Sequence, residues 1–573
     1  MNIKTGPHPT LGRLLIIALT LALLASACGG SDSDDSSGAD RAGEDSSAKD
    51  LSSDSGDDES VFAGGVDADS AGDSGSDEER EEAVAEQDED ESASAGADAR
   101  ADAEGLFAPP ESEEPDPDRL ENNTFEDYGI RGFVDAQSDP LSTFALDVDT
   151  GSFTVGRRWL DEGVLPPSES VRVEEYVNAF SYDYDDRRRG LEISVDGGPS
   201  PFDRDNILVR VGIQGAIVDE DDRESASIVF VVDTSGSMDR DDRLGLVKES
   251  LAVLVDGLND DDTVAIVTYD SNAGTVLEPT AVRHRDEILD AIDRLDPGGS
   301  TNLEAGLRSG YDLARQAFVD GGVNRVVLAS DGVANVGVTD PHELSRMIRD
   351  DADRGIQLVT VGYGMGNFND ETMEQLADEG DGFYAYIDTS DEAERFFEDE
   401  LAAVLVSIAK DAKIQVEFNE DVVESYRLLG FENRGIRDSD FRDDSVDAGE
   451  LGSGHQVTAL YEIELQRGVD LDDRDEIGVV SLRWEDPESG DVEEIDEDID
   501  LRDVEPDWND TDDDFQLAVV VASFAELLRG SPHADEVDLE DLAAEADRLA
   551  GDHDTQATDE LAELIERALT LSS

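Results

Sequence analysis

The chain has 573 residues, of which 144 are Asp or Glu and only 43 are Lys or Arg, so its formal net charge is −101 at pH 7. Because nucleic-acid binding depends on basic side chains that neutralise phosphates, this balance excludes nucleic acid as an expected partner and argues against anionic membrane surfaces. Concentrated salt would screen such repulsion, which favours a salt-rich habitat over an ordinary acidic secreted protein.

The first 27 residues have the pattern of a secretory signal peptide. Lys4 and Arg13 precede an apolar run at 14–24, and small residues at 25–27 stand before Cys28, the only cysteine. An apolar run of this length is too short to span a bilayer stably. The position of Cys28 resembles the bacterial lipobox, which implies a lipid on its thiol and a mature amino terminus there. The alternative is a plain secreted protein with an incidental cysteine.

Residues 28–118 follow as a tract of Asp, Glu, Ser, Gly and Ala with almost no aromatic side chains. Such a composition cannot bury enough apolar area to offset the entropy of ordering, so it predicts a disordered acidic linker. A flexible chain of about 90 residues spans roughly 50–60 Å, and charge repulsion extends it further. We expect a tether that holds the folded part away from a membrane.

Residues 119–224 are predicted to form an N-terminal flanking domain. Strands are expected at 191–195 and 208–213, where β-branched or alternating apolar residues occur. Asp147 and Asp149 lie upstream of these strands and could bind calcium, but they do not fit the EF-hand spacing. Solvated loops are the preferred interpretation of this pair.

Residues 225–407 alternate short apolar, β-branched runs with amphipathic segments. This alternation predicts an α/β domain with a doubly wound parallel sheet, whose ligands bind at the carboxyl ends of the strands. The predicted strands are 228–233, 263–269, 325–330 and 357–361, and the predicted helices are 244–258, 286–295, 303–318, 341–354 and 369–377.

Oxygen-bearing side chains follow three of these elements. Asp233, Ser235 and Ser237 come at the end of the first strand, Thr301 precedes a helix, and Asp331 follows a later strand. Two carboxylates and three hydroxyls are hard donors, which suit Mg²⁺ or Mn²⁺. Without cysteine or clustered histidine, the set suits zinc poorly.

The central segment resembles the von Willebrand A domain with its metal-ion-dependent adhesion site. The resemblance implies that Asp233, Ser235, Ser237, Thr301 and Asp331 hold a divalent cation, with the serines as direct ligands and the aspartates often acting through water. It implies that a carboxylate of a partner protein takes the remaining position, and that ligand exchange shifts the last helix, equivalent to 391–408. The alternative is a domain of this fold with a vestigial site.

Two neighbouring patterns have simpler interpretations. Asp239, Asp241 and Asp242 could suggest a second metal site, but their register matches poorly and helix capping explains acidic residues there. The glycines at 362–366 could suggest phosphate binding, but no lysine follows and the spacing is not that of a P-loop. A tight turn is predicted instead.

The remaining chain is predicted as a β-rich flanking domain at 408–505 and C-terminal helices at 506–573. Because strand-like segments at 413–418, 457–465 and 477–484 complement those before the central domain, we expect one β-rich domain with the central domain inserted. The segments 515–528, 539–549 and 558–571 are expected to form two or three amphipathic helices. His455 is expected to be structural. The aspartates at 510, 512, 513 and 514 could bind calcium, but they do not fit the EF-hand spacing, so a solvated loop is preferred.

The flanks carry motifs of their own, at 140–150 (PLSTFALDVDT), 426–434 (YRLLGFENR) and 454–463 (GHQVTALYEI). They resemble a group of bacterial lipoproteins described as YfbK-like, and the resemblance covers about residues 119–573. It implies a non-enzymatic exported lipoprotein, anchored at the cell membrane and facing away from the cytoplasm. The metal site would bind an Asp or Glu of an envelope or extracellular protein.

Two other functions stay open. The first is a Mg²⁺-dependent hydrolase, although the sequence shows neither an obvious general base nor a second metal site. The second is a structural envelope component in which the metal only stabilises the fold.

Overall fold

The computed structural model describes residues 123, 125–184, 189–218, 223–332, 341–365, 369–399, 401–469, 471, 475–487, 489–553 and 555–572. The chain separates into two compact units, 1–105 and 106–573, and the described residues belong to the second. The predicted signal peptide, Cys28 and the linker to residue 118 lie outside the described residues. No described helix has the length and apolarity needed to cross a membrane.

The described residues of the N-terminal flank form four strands and two helices. They are β1 (Val134–Asp135), β2 (Leu141–Ala145), α1 (Gly151–Asp161), α2 (Val173–Asn178), β3 (Leu191–Pro199) and β4 (Ile207–Gly215). The predicted strands are confirmed as β3 and β4, but the sequence does not predict the helices. In α1, Gly151 and Gly156 lower helix propensity. Each glycine faces an aromatic ring that occupies the space of a Cβ, Tyr384 and Tyr176 respectively, so tertiary packing stabilises this helix.

Within the described part of the central domain there are six strands and seven helices. They are β5 (Ala226–Asp233), α3 (Leu246–Gly257), β6 (Thr263–Tyr269), β7 (Ala273–Ala281), α4 (Arg285–Asp293), α5 (Leu303–Gln316), β8 (Val323–Ser330), α6 (Pro341–Ala352), β9 (Gln357–Tyr363), α7 (Asp370–Asp378), β10 (Tyr384–Ile387), α8 (Ser390–Glu394) and α9 (Leu401–Leu405). All four predicted strands and five predicted helices are present, with shifted ends.

The sheet order is β10-β9-β8-β5-β6-β7, and every pair is parallel except β6 with β7. The predicted doubly wound sheet is confirmed. The prediction that all of its strands are parallel is wrong, because the edge strand β7 is antiparallel to β6. Tyr269 pairs with Ala273, so only three residues join β6 to β7. A connection this short makes a hairpin, since a parallel crossover needs a dozen or more residues.

Helices cover both faces of the central sheet. One face packs against α3, α4 and the side chains of Ala393, Phe396, Phe397, Val404 and Leu405, and the other packs against α5, α6 and α7. Two residues of the flanking helix α1, Val155 and Trp159, join the second layer. The segment 391–408, expected as one last helix, is instead α8, a π-helical turn at Arg395–Asp399 and α9, and Ser407 already begins a strand.

The C-terminal flank adds β11 (Ser407–Phe418), β12 (Val423–Leu429), β13 (Gly449–Gly452), β14 (Gln456–Leu465), β15 (Glu476–Glu485) and β16 (Val492–Asp500). One sheet has the order β1-β12-β14-β4-β3, and the other has β13-β11-β15-β16 with β2 paired to β11. Both sheets combine strands from before and after the central domain. The prediction of one β-rich domain with the central domain inserted is therefore confirmed.

The described C-terminal residues form three helices, where two or three were predicted: α10 (Asp513–Leu528), α11 (Leu539–His553) and α12 (Gln556–Ser572). The sequence suggests an amphipathic α10, but every residue from Phe515 to Glu526 is buried. Helix α10 shares a core with α2, α11, α12 and the β-rich domain. A helix enclosed on all sides is apolar all round, which explains the difference.

Candidate metal centre

Asp233 ends β5, and its carboxylate is fully buried. The Ser235 backbone N–H donates a hydrogen bond to Asp233 Oδ1 at 2.7 Å, and the Ser330 hydroxyl donates to Oδ2 at 3.2 Å. The hydroxyl oxygens of Ser235 and Ser237 lie 2.8 Å apart. Three of the predicted residues thus form one oxygen-rich turn at the carboxyl end of β5.

The loop before α5 is fastened to this turn by backbone hydrogen bonds. The Gly236 N–H donates to the Gly299 carbonyl at 3.1 Å, and the Gly298 N–H donates to the Thr234 carbonyl at 2.7 Å. Gly299 has φ +83°, in the region that favours glycine. Thr301, in the same loop, is 3% exposed.

The third predicted segment follows β8, which pairs directly with β5. Asp331 is 1% exposed, and the Gly332 N–H donates to the Ser330 hydroxyl at 3.2 Å. The Arg243 guanidinium makes an ion pair with the Asp331 carboxylate and donates to the Ser237 carbonyl at 3.0 Å. All five predicted residues therefore lie at one end of the sheet, on three loops that hydrogen bonds and ion pairs hold together.

The electrostatics of this site favour a cation. Burial, followed by the nearby Asp331 carboxylate, raises the pKa of the Asp233 carboxyl to about 7. A bound cation would stabilise the charged form of Asp233 and so relieve both effects. With the serine and threonine hydroxyls, the two carboxylates form a hard donor set that fits a divalent cation such as Mg²⁺ or Mn²⁺.

Arg243 is the residue of this site that sequence reasoning does not find. It lies at the predicted start of a helix, where an arginine ordinarily extends into solvent. In the structure it belongs to a π-helical turn, Asp241–Gly245, and its side chain is only 5% exposed. A π-helical turn changes which way successive side chains point, and such turns are frequent at functional sites.

A second buried network joins the central domain to the flank. Arg434 Nε lies 2.8 Å from Asp147, its Nη2 lies 3.2 Å from Asp149 and 2.9 Å from Glu374, and its Nη1 lies 2.9 Å from Asp378. The expectation that Asp147 and Asp149 form solvated loops is wrong, since they are 5% and 3% exposed. An arginine almost 300 residues away compensates their charge, a pairing that local sequence does not reveal.

Two smaller expectations can be followed in the structure. Gly364 has φ +72°, which is compatible with the tight turn predicted after β9, whereas Gly366 lies outside the described residues. The His455 Nδ1 accepts a hydrogen bond from the Gly452 N–H at 3.1 Å, and its ring packs edge-on against Phe383. Burial, followed by the positive charge of Arg325, lowers the pKa of His455 to about 4. These contacts give His455 the structural role expected of it.

Comparison with known proteins matches the described region almost throughout. The von Willebrand factor type A domain matches residues 227–399, a von Willebrand factor family matches 119–210, and the C-terminal region of the uncharacterized protein YfbK matches 403–571. The uncharacterized protein YfbK of Escherichia coli (strain K12) is 35% identical over 454 residues, which cover 75% of this chain and 78% of the relative.

The chain belongs to the YfbK family of von Willebrand type A domain proteins. This confirms the resemblance carried by the flank motifs. Another relative, the uncharacterized protein sll0103 of Synechocystis, is 27% identical over 293 residues, which cover 49% of this chain and 67% of the relative. Domains of this type mediate protein–protein interaction and commonly bind a divalent metal at the motif described above.

The chain is also similar to two solved structures. A von Willebrand factor type A protein from Catenulispora acidiphila covers 67% of this chain and 91% of its own length, at 15% identity and a TM-score of 0.40. Proximal thread matrix protein 1 from the mussel byssus, described with a zinc-occupied MIDAS motif, covers 31% of this chain and 45% of its own length. Its identity is 25% and its TM-score 0.26.

Proposed function

We propose that this protein is a non-enzymatic, lipid-anchored envelope protein that binds a carboxylate of a partner protein through a divalent cation. Asp233, Ser235, Ser237, Thr301 and Asp331 would hold the ion, Mg²⁺ or Mn²⁺. The observation that supports this most strongly is the meeting of two buried carboxylates with the Ser235 and Ser237 hydroxyls at one end of the sheet.

The ion, when bound, supplies a concentrated positive charge to which a carboxylate makes a strong, charge-assisted contact. The protein supplies orientation and access. Asp233 is oriented by the Ser235 N–H and the Ser330 hydroxyl. Ser237 is partly exposed, and Gly236, Gly299 and Ser300 next to it are exposed, so the loop tips form an accessible rim.

The same contacts favour binding over catalysis. A metal-dependent hydrolase needs a positioned base to activate water. The Asp233 carboxylate already accepts hydrogen bonds on both oxygens, and Arg243, which pairs with Asp331, is not a base at neutral pH. Family membership supports the same proposal, because von Willebrand type A domains are generally interaction modules.

The location is part of the proposal. The signal-peptide pattern and the small residues before Cys28 support export and lipid attachment, and the acidic tract after it would carry the folded part outward. Labelling of growing cells with an alkyne fatty acid tests this directly. We expect label on the wild-type protein and none on Cys28→Ser, whereas equal labelling of both would contradict the anchor.

Capture from envelope extract tests the binding function. We expect the immobilised wild-type chain to retain a partner in Mg²⁺ and to release it in EDTA. Asp233→Ala should lose capture while its thermal midpoint stays near that of the wild type. Asp260→Ala is the matched control, because Asp260 is exposed just before β6, at the other end of the sheet. Unchanged capture with a large loss of stability would favour the structural role instead.

A further inference from the structure

Arg243 contacts the loops that follow three neighbouring strands. Its Nη1 pairs with the Asp331 carboxylate after β8 and donates to the Ser237 carbonyl after β5 at 3.0 Å. Its Nη2 donates to the Met365 carbonyl after β9 at 2.6 Å. One buried guanidinium therefore lies against the predicted metal loops and cannot turn into solvent without breaking all three contacts.

The backbone after β9 is shaped to admit this side chain. Gly364 has φ +72°, and a Cβ built there would lie 2.5 Å from Arg243 Cγ and 2.6 Å from Nε. Any other residue at 364 would displace the arginine. Gly364 thus leaves the space that the Arg243 side chain occupies, and this packing holds the guanidinium against Asp331.

We propose that Arg243 sets the net charge of the loaded site and thereby makes it select an anionic group. This inference rests on the proposed function. Asp233 and Asp331 together carry two negative charges, which alone would neutralise a divalent cation. Arg243 adds one positive charge in direct contact with Asp331. The loaded site then carries a net charge of about +1, which attracts a carboxylate.

The positive charge of the loaded site matters because the rest of the chain is strongly negative. The chain carries a net charge of −101, so the field of the whole protein repels an acidic partner. A neutral loaded site would offer little electrostatic compensation. A positive one, in a partly buried position where salt screens less, would retain its attraction for a carboxylate.

Removal of the arginine charge should therefore change two affinities in opposite directions. In Arg243→Gln we expect Mn²⁺ to bind roughly tenfold more tightly, because a repelling charge is gone, and a carboxylate to bind the loaded site roughly tenfold more weakly. Arg243→Lys keeps the charge but cannot reproduce all three contacts of the guanidinium, so both of its affinities should lie between those of the wild type and Arg243→Gln. A merely structural arginine would give weaker Mn²⁺ binding in both variants.

The experiment uses the full chain and two defined probes. Isothermal calorimetry gives the Kd for Mn²⁺, and Mn²⁺-induced broadening of the acetate methyl proton signal gives acetate affinity for the loaded protein. Arg240→Gln is the matched control, since this exposed arginine lies three residues earlier in the same loop. We expect less than about a threefold change in either affinity, because an exposed charge is largely screened.

Gly364→Ala approaches the same contact from the other side and provides a second variant if Arg243→Gln does not fold. It should lower acetate affinity in the same direction, and thermal unfolding in EDTA checks that it remains folded. Wild-type chain that takes up no Mn²⁺ would overturn the proposed function and this inference with it. If the wild type binds both Mn²⁺ and acetate, but Arg243→Gln either leaves both affinities unchanged or weakens both, the inference about Arg243 is overturned while the proposed function stands.

Discussion

Replacement of Arg434 by methionine tests how the central domain is held in the β-rich domain. The guanidinium lies within 3.2 Å of carboxylates on both sides of the junction, Asp147 and Asp149 in the flank and Glu374 and Asp378 on α7. Methionine retains most of the apolar contact but none of the charge. The substitution therefore leaves four carboxylates to share a junction without their common cation.

The expected loss follows from burial. The side chains of Asp147, Asp149 and Glu374 are 3%, 4% and 6% exposed. Removal of one partner from a buried ion pair destabilises a protein by about 3–5 kcal/mol, so we expect a loss of about 4 kcal/mol at pH 8. Burial and then Asp147 raise the pKa of Asp149 well above its usual value, and Arg434 opposes them. Without Arg434 the folded state binds protons more readily, so the loss should shrink towards pH 5.

Urea denaturation followed by the fluorescence of the three tryptophans measures this loss at pH 8 and pH 5. Arg442→Met is the matched control, because Arg442 forms an ion pair with Glu494 and its own side chain is 64% exposed. An exposed pair of this kind contributes about 1 kcal/mol or less. A loss below about 1 kcal/mol for Arg434→Met at pH 8, or a larger loss at pH 5, would refute the reasoning.

Three further predictions concern stability. Burial, followed by the nearby carboxylates of Glu432 and Asp147, raises the pKa of the Glu174 carboxyl from 4.5 to about 7. Because the folded state binds this proton more tightly than the unfolded state, the stability of the wild type should fall as pH rises from 4.5 to 7. In urea titrations, Glu174→Gln should be more stable than the wild type by about 3 kcal/mol at pH 8, and the two should be equally stable below pH 4.5. Gly156→Ala should destabilise the protein by about 1–3 kcal/mol, because the added Cβ collides with Tyr176. Gly551→Ala in α11 is the control and should be neutral or stabilising, since a Cβ there meets nothing within 4 Å. Equal effects of the two substitutions in calorimetry would contradict this prediction. The thermal midpoint should rise between about 0.1 M and 2 M NaCl as screening relieves repulsion, and a fall would argue against charge repulsion as a dominant destabilising force.

The sequence predicts the parts of the fold whose signals are local. Strands such as β5 and β8 are apolar on both faces, and the metal residues stand directly at their ends. For the two-sheet domain, the sequence predicts that strands on both sides of the insertion belong together, but it does not predict which strands pair. Strand β7 has a mixed pattern, and its direction depends on the three-residue hairpin at 270–272.

The remaining features arise from contacts between distant segments. Helix α1 contains two glycines and forms because aromatic rings pack where its side chains would be. Arg434 and Asp147 are 287 residues apart, and their charges become partners only after the flanks close around the central domain. Arg243 turns inward because of one π-helical turn. None of these leaves a periodic pattern in the sequence.

Calorimetric titration of Mg²⁺ and Mn²⁺ into the wild-type chain, Asp233→Ala and Asp331→Ala tests the central claim most directly. The structure predicts uptake of one ion per wild-type chain and a loss of uptake in each variant, since each removes one of the two buried carboxylates. Absence of heat and of uptake in the wild type at every salt concentration would contradict the account.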